Sequence, residues 1–154
     1  MMHQNEPIEL AFEEFGSEGH PPVILLHGFF ASSRNWRQIA KMLADSYHVF
    51  VPDLRNHGSS PHSRQMDYPA MAADIIGFIE LHSLHNASLL GHSMGGKAAM
   101  SLALGQPQCI RQLIVVDIAP VCYWHSFTDM IQALMDLPLD SIANRKQADT
   151  FLSS

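Results

Sequence analysis

A doubly wound, mostly parallel α/β sheet is the architecture this sequence predicts, and three observations predict it. Short apolar runs recur along the chain at Val23-Ile24-Leu25-Leu26, His48-Val49-Phe50-Val51, Ala87-Ser88-Leu89-Leu90 and Leu113-Ile114-Val115-Val116. Segments of helical period separate them, so the order reads β-α-β-α-β-α-β. Most of these runs lead into turn-forming or polar residues, which puts candidate ligand contacts at the carboxyl ends of parallel strands. At 154 residues the chain has the size of one domain and enough apolar content for a sizeable core.

Each element has its own justification. Residues Ile8-Glu9-Leu10-Ala11-Phe12-Glu13 alternate apolar and polar, the period of a half-exposed edge strand, and Gly16 to Pro22 supply the turn that ends it. Val23 to Leu26 is uninterrupted, as suits a strand covered on both faces. Ser32 or Ser33 can cap the next helix, whose stripe is Trp36, Ile39, Ala40 and Leu43. After the strand His48 to Val51, Pro52-Asp53 opens a loop rich in turn formers, Leu54 to Pro61. Asp67 can cap a helix carrying Met71, Ile75, Phe78 and Ile79 on one side, with His82 a candidate for the same face. Beyond Asp117, Ile118 to His125 breaks away from the sheet, Phe127 to Leu137 has an apolar helical face, and Asn144 to Leu152 suits another short helix.

Composition narrows the function classes. Nine Lys+Arg against 15 Asp+Glu leave a net charge of -6, and the cations are scattered, which disfavours nucleic acid as a partner. No apolar stretch approaches the roughly 18 residues of a membrane span. The start Met1-Met2-His3-Gln4-Asn5-Glu6 lacks the pattern of a signal peptide, so the expectation is a cytoplasmic protein without a membrane partner. Cys109 and Cys122 read as reduced thiols. Among ten histidines, His82-Ser83-Leu84-His85 comes nearest to ligand spacing but lacks a third partner, so neither metal nor cofactor is expected.

The chemistry concentrates in Gly91-His92-Ser93-Met94-Gly95-Gly96, which lies where the third parallel strand becomes the helix Lys97 to Leu104. A G-x-S-x-G pattern in that context forces the serine into a tight turn that only flanking glycines permit, with its hydroxyl above the sheet. Gly-rich turns of this kind also hold phosphates, but the strand before, the helix after and an upstream loop together favour a serine nucleophile. Such a hydroxyl needs a base and a carboxylate to orient that base. Asp117 ends the strand after the elbow strand and is the candidate acid; Asp53 ends another strand on the same rim and is its rival. Two backbone N–H groups must face the developing oxyanion, each worth about 3 to 4 kcal/mol. Met94 supplies one as the residue after the nucleophile, and Phe29, following His27-Gly28, is the candidate for the other.

Taken together, Leu25 to Phe29, Asp53 to Ser60, Gly91 to Lys97 and Val116 to Pro120 resemble the α/β-hydrolase family. The Arg55-Asn56-His57-Gly58 loop, Gly95-Gly96-Lys97 and Asp117-Ile118-Ala119-Pro120 resemble more narrowly the small bacterial esterases of the YbfF type. The resemblance implies Ser93 as nucleophile, Asp117 rather than Asp53 as acid, and hydrolysis of short acyl esters or thioesters without a cofactor. It also divides the chain into residues 1–120, part of the hydrolase core, and residues 121–154, the start of a helical cap. Other reactions of the fold, such as C-C bond hydrolysis or cofactor-free haloperoxidation, and a non-catalytic binding module are the alternatives.

In that family the catalytic histidine lies near the C-terminus, after the last strand. His92 is expected to point into the domain, His27 and His57 to serve their loops, and His125 to enter the cap, leaving no base among them. The expectation is therefore an N-terminal half that needs its missing C-terminal half or self-association. Removing the base of a serine triad costs about 10⁶ in kcat. The chain alone is expected to hydrolyse p-nitrophenyl acetate or butyrate no faster than its Ser93→Ala variant, and serine-dependent turnover would overturn this.

Overall fold

The computed structural model describes residues 6–123 and 127–153. They form two compact units, within Met1–Pro120 and Val121–Ser154. The first contains a five-stranded sheet of β1 (Phe12–Phe15), β2 (Pro22–Leu26), β3 (His48–Pro52), β4 (Ala87–His92) and β5 (Ile110–Val116). Helices α1 (Arg37–Leu43), α2 (Tyr68–Leu81) and α3 (Met94–Gly105) alternate with the strands. The strand order is β1-β3-β2-β4-β5. All pairings are parallel except that of β1 with β3.

Alternation along the strands explains the layers. Ile24, Leu26, Phe50 and Leu89 share a core with Met71, Ile75 and Phe78 of α2 and Ala98, Ala99 and Leu102 of α3. Val23, Leu25, Val49 and Val51 share the other core with Ala40 of α1, and Trp36 and Leu43 pack against it. Both faces of β2 and β3 are thus covered, which is why their sequences are unbroken apolar runs. Ile39 is 44% exposed, because a seven-residue helix turns Trp36, Ala40 and Leu43 inward and leaves Ile39 at the flank. Asp67 caps α2 by accepting from Ala70 N–H at 2.8 Å, and that bond holds its carboxyl below the usual range.

Two elements depart from expectation. The first strand begins at Phe12 rather than Ile8, because residues before it satisfy their backbone elsewhere: Ile8 N–H donates to Asp74 Oδ1 at 2.8 Å and Ala11 N–H to Ser60 Oγ at 2.9 Å. The last strand begins at Ile110, three residues before its apolar run, with the pairing to β4 irregular at Ala87/Ser88. Within the second unit, α4 (Thr128–Met135) and α5 (Arg145–Leu152) are short helices, and Asn144 caps α5 through Gln147 N–H at 3.1 Å. The readings placed on Met1 to Asn5, Trp124 and His125 lie outside the described residues. Cys109 and Cys122 are free thiols.

The loop after β3 is tied to α2 by a buried ion pair. Arg55 Nε and Nη2 donate to Asp74 Oδ2 and Oδ1 at 2.6 and 2.7 Å, and Nη1 donates to Gln65 C=O at 2.9 Å. Both side chains are fully buried, so removing one partner strands a charge without water. Asp74→Asn is expected to lower unfolding free energy by about 3 to 5 kcal/mol. Urea denaturation at neutral pH measures this, and a loss under about 1 kcal/mol would contradict it.

Candidate active site

Backbone crowding builds the turn at Ser93. A Cβ on Gly91 would lie 2.7 Å from Gly96 Cα, and one on Gly95 would lie 2.5 Å from His27 C=O and 2.8 Å from Leu26 Cβ. The chain therefore passes from β4 into α3 against the end of β2, through positions only glycine fits. Ser93 takes up the reversal with φ 51° and ψ -115°, a strained conformation for a residue with a side chain. Its N–H donates to Val116 C=O at 3.0 Å, and its side chain is half-buried.

That same bond fixes Asp117, the next residue after Val116. Asp117 also has positive φ, 55°, and its side chain is 84% exposed at the carboxyl end of β5. The rival acid is occupied: Asp53 is buried, with Oδ1 accepting from Ser33 N–H at 2.6 Å and Oδ2 from Ser59 N–H at 2.8 Å. Asp53 braces two loops on the rim, and Gly58 leaves room for its carboxylate.

His92 corrects the expectation that it points into the domain. It ends β4 opposite Val116, its ring is 41% exposed, and Nε2 lies 3.6 Å from Asp117 Oδ2. The parallel register explains this, since it sets the residue before Ser93 opposite the residue before Asp117. A Cβ on Gly28 would lie 2.9 Å from His92 Nδ1 and 3.4 Å from Ser93 Cβ, so the loop after β2 borders both residues.

The two candidate oxyanion donors lie one residue beyond these contacts. Phe29 follows Gly28, and Met94 is the first residue of α3, buried, with its N–H among the leading donors that have no partner four residues back. Ser93, Asp117, Phe29 and Met94 thus occupy the carboxyl rim of three adjacent strands, β2, β4 and β5. A polar cavity of about 320 Å³ opens elsewhere on the rim, beside Glu13, Arg37, Asp53 and Ser59. There the Arg37 guanidinium holds Glu13's carboxyl below the usual carboxylate range. Among the described residues no three His, Cys, Asp or Glu side chains converge as metal ligands would.

A family model described as alpha/beta hydrolase fold matches residues 21–148. Esterase YbfF of Escherichia coli is 38% identical over 126 residues, covering 82% of this chain and 50% of that protein. An sn-1-specific diacylglycerol lipase of Xenopus laevis is 42% identical over 121 residues, 77% of this chain and 39% of the relative. A solved structure described as a marine microorganism esterase superposes with a TM-score of 0.85 at 40% identity, covering 95% of this chain and 58% of that one. The chain spans about half the length of the curated relatives it matches.

His27 sets the loop that carries Gly28 and Phe29. Its Nε2 accepts from Leu54 N–H at 2.9 Å, so Nδ1 carries the proton and donates to Gly28 C=O at 2.8 Å. Burial pushes the imidazole below its ordinary value, and protonation at Nε2 would also break the Leu54 bond. The unfolded imidazole takes up a proton near pH 6.5 while the folded one resists it, so stability is full above about pH 6.5 and falls with acid. The urea midpoint is expected to decline as pH drops through this window, with His27→Gln flattening the decline. An equal slope in both proteins would contradict it.

Proposed function

The chain belongs to the α/β-hydrolase fold family, and on that premise we propose that it forms the nucleophile half of a serine carboxylesterase acting on short acyl esters or thioesters. The observation that carries the reading is Ser93 at φ 51° between β4 and α3, a non-glycine residue held in a strained turn by crowded glycines. On this reading Ser93 Oγ gives its proton to the base and attacks the acyl carbon. The ester bond breaks with the alcohol or thiol leaving protonated by that base, and water hydrolyses the resulting acyl-enzyme to free Ser93 and the acid. The N–H groups of Met94 and Phe29 receive the oxyanion. Asp117 orients a neutral imidazole base and stabilises the imidazolium it becomes on taking the Ser93 proton; the resemblance assigns that base to a histidine near the C-terminus of family members. The same resemblance assigns residues 121–154 to the beginning of a helical cap.

Support comes from relatives named as an esterase and an sn-1-specific diacylglycerol lipase. A relative named as a probable alcohol acetyltransferase of Saccharomyces cerevisiae, 37% identical, fits the same acyl-enzyme with an alcohol as acceptor. The substrate is a small molecule, and no cofactor enters the scheme.

With the C-terminal half present, a fluorophosphonate is expected to leave a covalent adduct on the peptide containing Ser93, detected as a mass increment that Ser93→Ala removes. In the whole enzyme, Asp117→Asn is expected to slow ester turnover by about 10⁴, the scale of losing a triad carboxylate. An adduct that survives Ser93→Ala, or turnover indifferent to Asp117, would refute the assignment.

A further inference from the structure

Among the described residues, six non-glycine residues have positive φ: Phe30, Asn56, Ser83, Asn86, Ser93 and Asp117. Five of them are small or Asx residues, which suffer least there. Phe30 is the exception, a bulky aromatic at φ 56°. The turn that holds it is closed by Ala31 N–H donating to Gly28 C=O at 3.3 Å, which puts Phe30 at the third position of a four-residue turn. Glycine meets a positive φ at that position without steric cost. Phe30 is also 58% exposed, so burial does not offset the conformational cost.

A residue that breaks its local preference without gaining burial is serving something other than the fold. Its place indicates what. Phe30 lies two residues from Gly28, the residue whose Cβ position is 3.4 Å from Ser93 Cβ. Its ring rests on Phe29 with centroids 4.1 Å apart, and Phe29 in turn meets the His57 ring at 6.0 Å. Phe29 packs against the core, so the exposed ring stands on a backed support rather than on a loose side chain. An exposed aromatic face so placed is suited to a flat or aliphatic apolar group and offers no hydrogen bond to a polar one.

We infer that Phe30 is a specificity-determining residue, its ring forming an apolar shelf beside Ser93 that receives the hydrocarbon part of the ester. This rests on the hydrolase reading given above. The left-handed turn leaves the ring 58% exposed at the rim, and the residue trades fold stability for recognition.

The test uses the chain in its Ser93→Ala form, so that the ester is bound and not consumed, with p-nitrophenyl butyrate and ethyl acetate titrated by NMR. Phe30→Gly is expected to weaken p-nitrophenyl butyrate about threefold to tenfold, the scale of one aromatic contact, and to leave ethyl acetate unchanged. In the same variant the urea midpoint is expected to stay level or rise, because the strained backbone is relieved. Phe30→Asn, which also tolerates positive φ, is expected to behave alike and serves if the glycine variant misfolds. Equal affinities for p-nitrophenyl butyrate with and without the ring would overturn the inference, as would a lowered midpoint in both variants or no saturable binding at all. Fluorophosphonate that never modifies Ser93 of the whole enzyme, with ring-dependent binding intact, would instead refute the hydrolase reading and leave the shelf standing.

Discussion

The backbone's close passage at Gly91 and Gly95 is the constraint on which the rest of the molecule depends. With no room for a Cβ between β4, the start of α3 and the end of β2, these three elements are locked at one distance. Ser93 must then reverse the chain within a single residue, and its φ of 51° is the result. The same crowding sets His27-Gly28 against the start of α3, which brings Phe29 and Met94 onto touching segments. A hydroxyl and two amides gain catalytic value only when their geometry is fixed before substrate arrives. On the proposed reading that geometry is set by packing at Gly91 and Gly95, where any side chain larger than hydrogen would force the elements apart.

The loops around that constraint are rigid for a related reason. Each carries backbone donors and acceptors that a sheet would have paired, and buried ones must find partners. Asp53 takes two of them, Ser33 N–H and Ser59 N–H, and His27 takes a third, Leu54 N–H. Arg55 and Asp74 add a bidentate pair that ties the loop after β3 to α2 and also holds Ile8 N–H at the chain's entry to the sheet. A buried ion pair is a weak source of net stability but strongly disfavours arrangements that separate its members. Its contribution is to specify one loop position beside the rim.

Much of this was legible in the sequence where the signal is local. The runs at Val23, His48 and Ala87 became β2, β3 and β4, and Asp67 caps α2, because burial on both faces and a capping oxygen each leave a mark within a few residues. The G-x-S-x-G turn was legible for the same reason: glycine spacing encodes close approach directly. The start of β1 was misread because alternation at Ile8 to Glu13 says nothing of Asp74 and Ser60, which lie 66 and 49 residues from their partners and take the backbone N–H groups of that segment. His92 was misread because its position depends on the register of β4 against β5, a property of two strands and not of one. Phe30 gave no signal at all, since positive φ at a bulky residue runs against every local preference.

The distribution of that last feature ties the rim together. Each of the four parallel strands is followed by one non-glycine residue of positive φ: Phe30 after β2, Asn56 after β3, Ser93 after β4 and Asp117 after β5. Strain at the opposite rim falls instead on Ser83 and Asn86, a small residue and one that tolerates the left-handed region. At Phe30, Ser93 and Asp117 the sharp reversal leaves the side chain exposed or half-exposed at the rim. Such residues persist only where surrounding contacts over-determine them, and here the glycine crowding, the Asp53 brace and the buried Arg55–Asp74 pair supply that surplus. The core's stability is thus converted into exposed or half-exposed side chains at Phe30, Ser93 and Asp117, on the face where the proposed chemistry occurs, whereas Asn56 turns its amide back onto Ser63 and Met66 of its own loop.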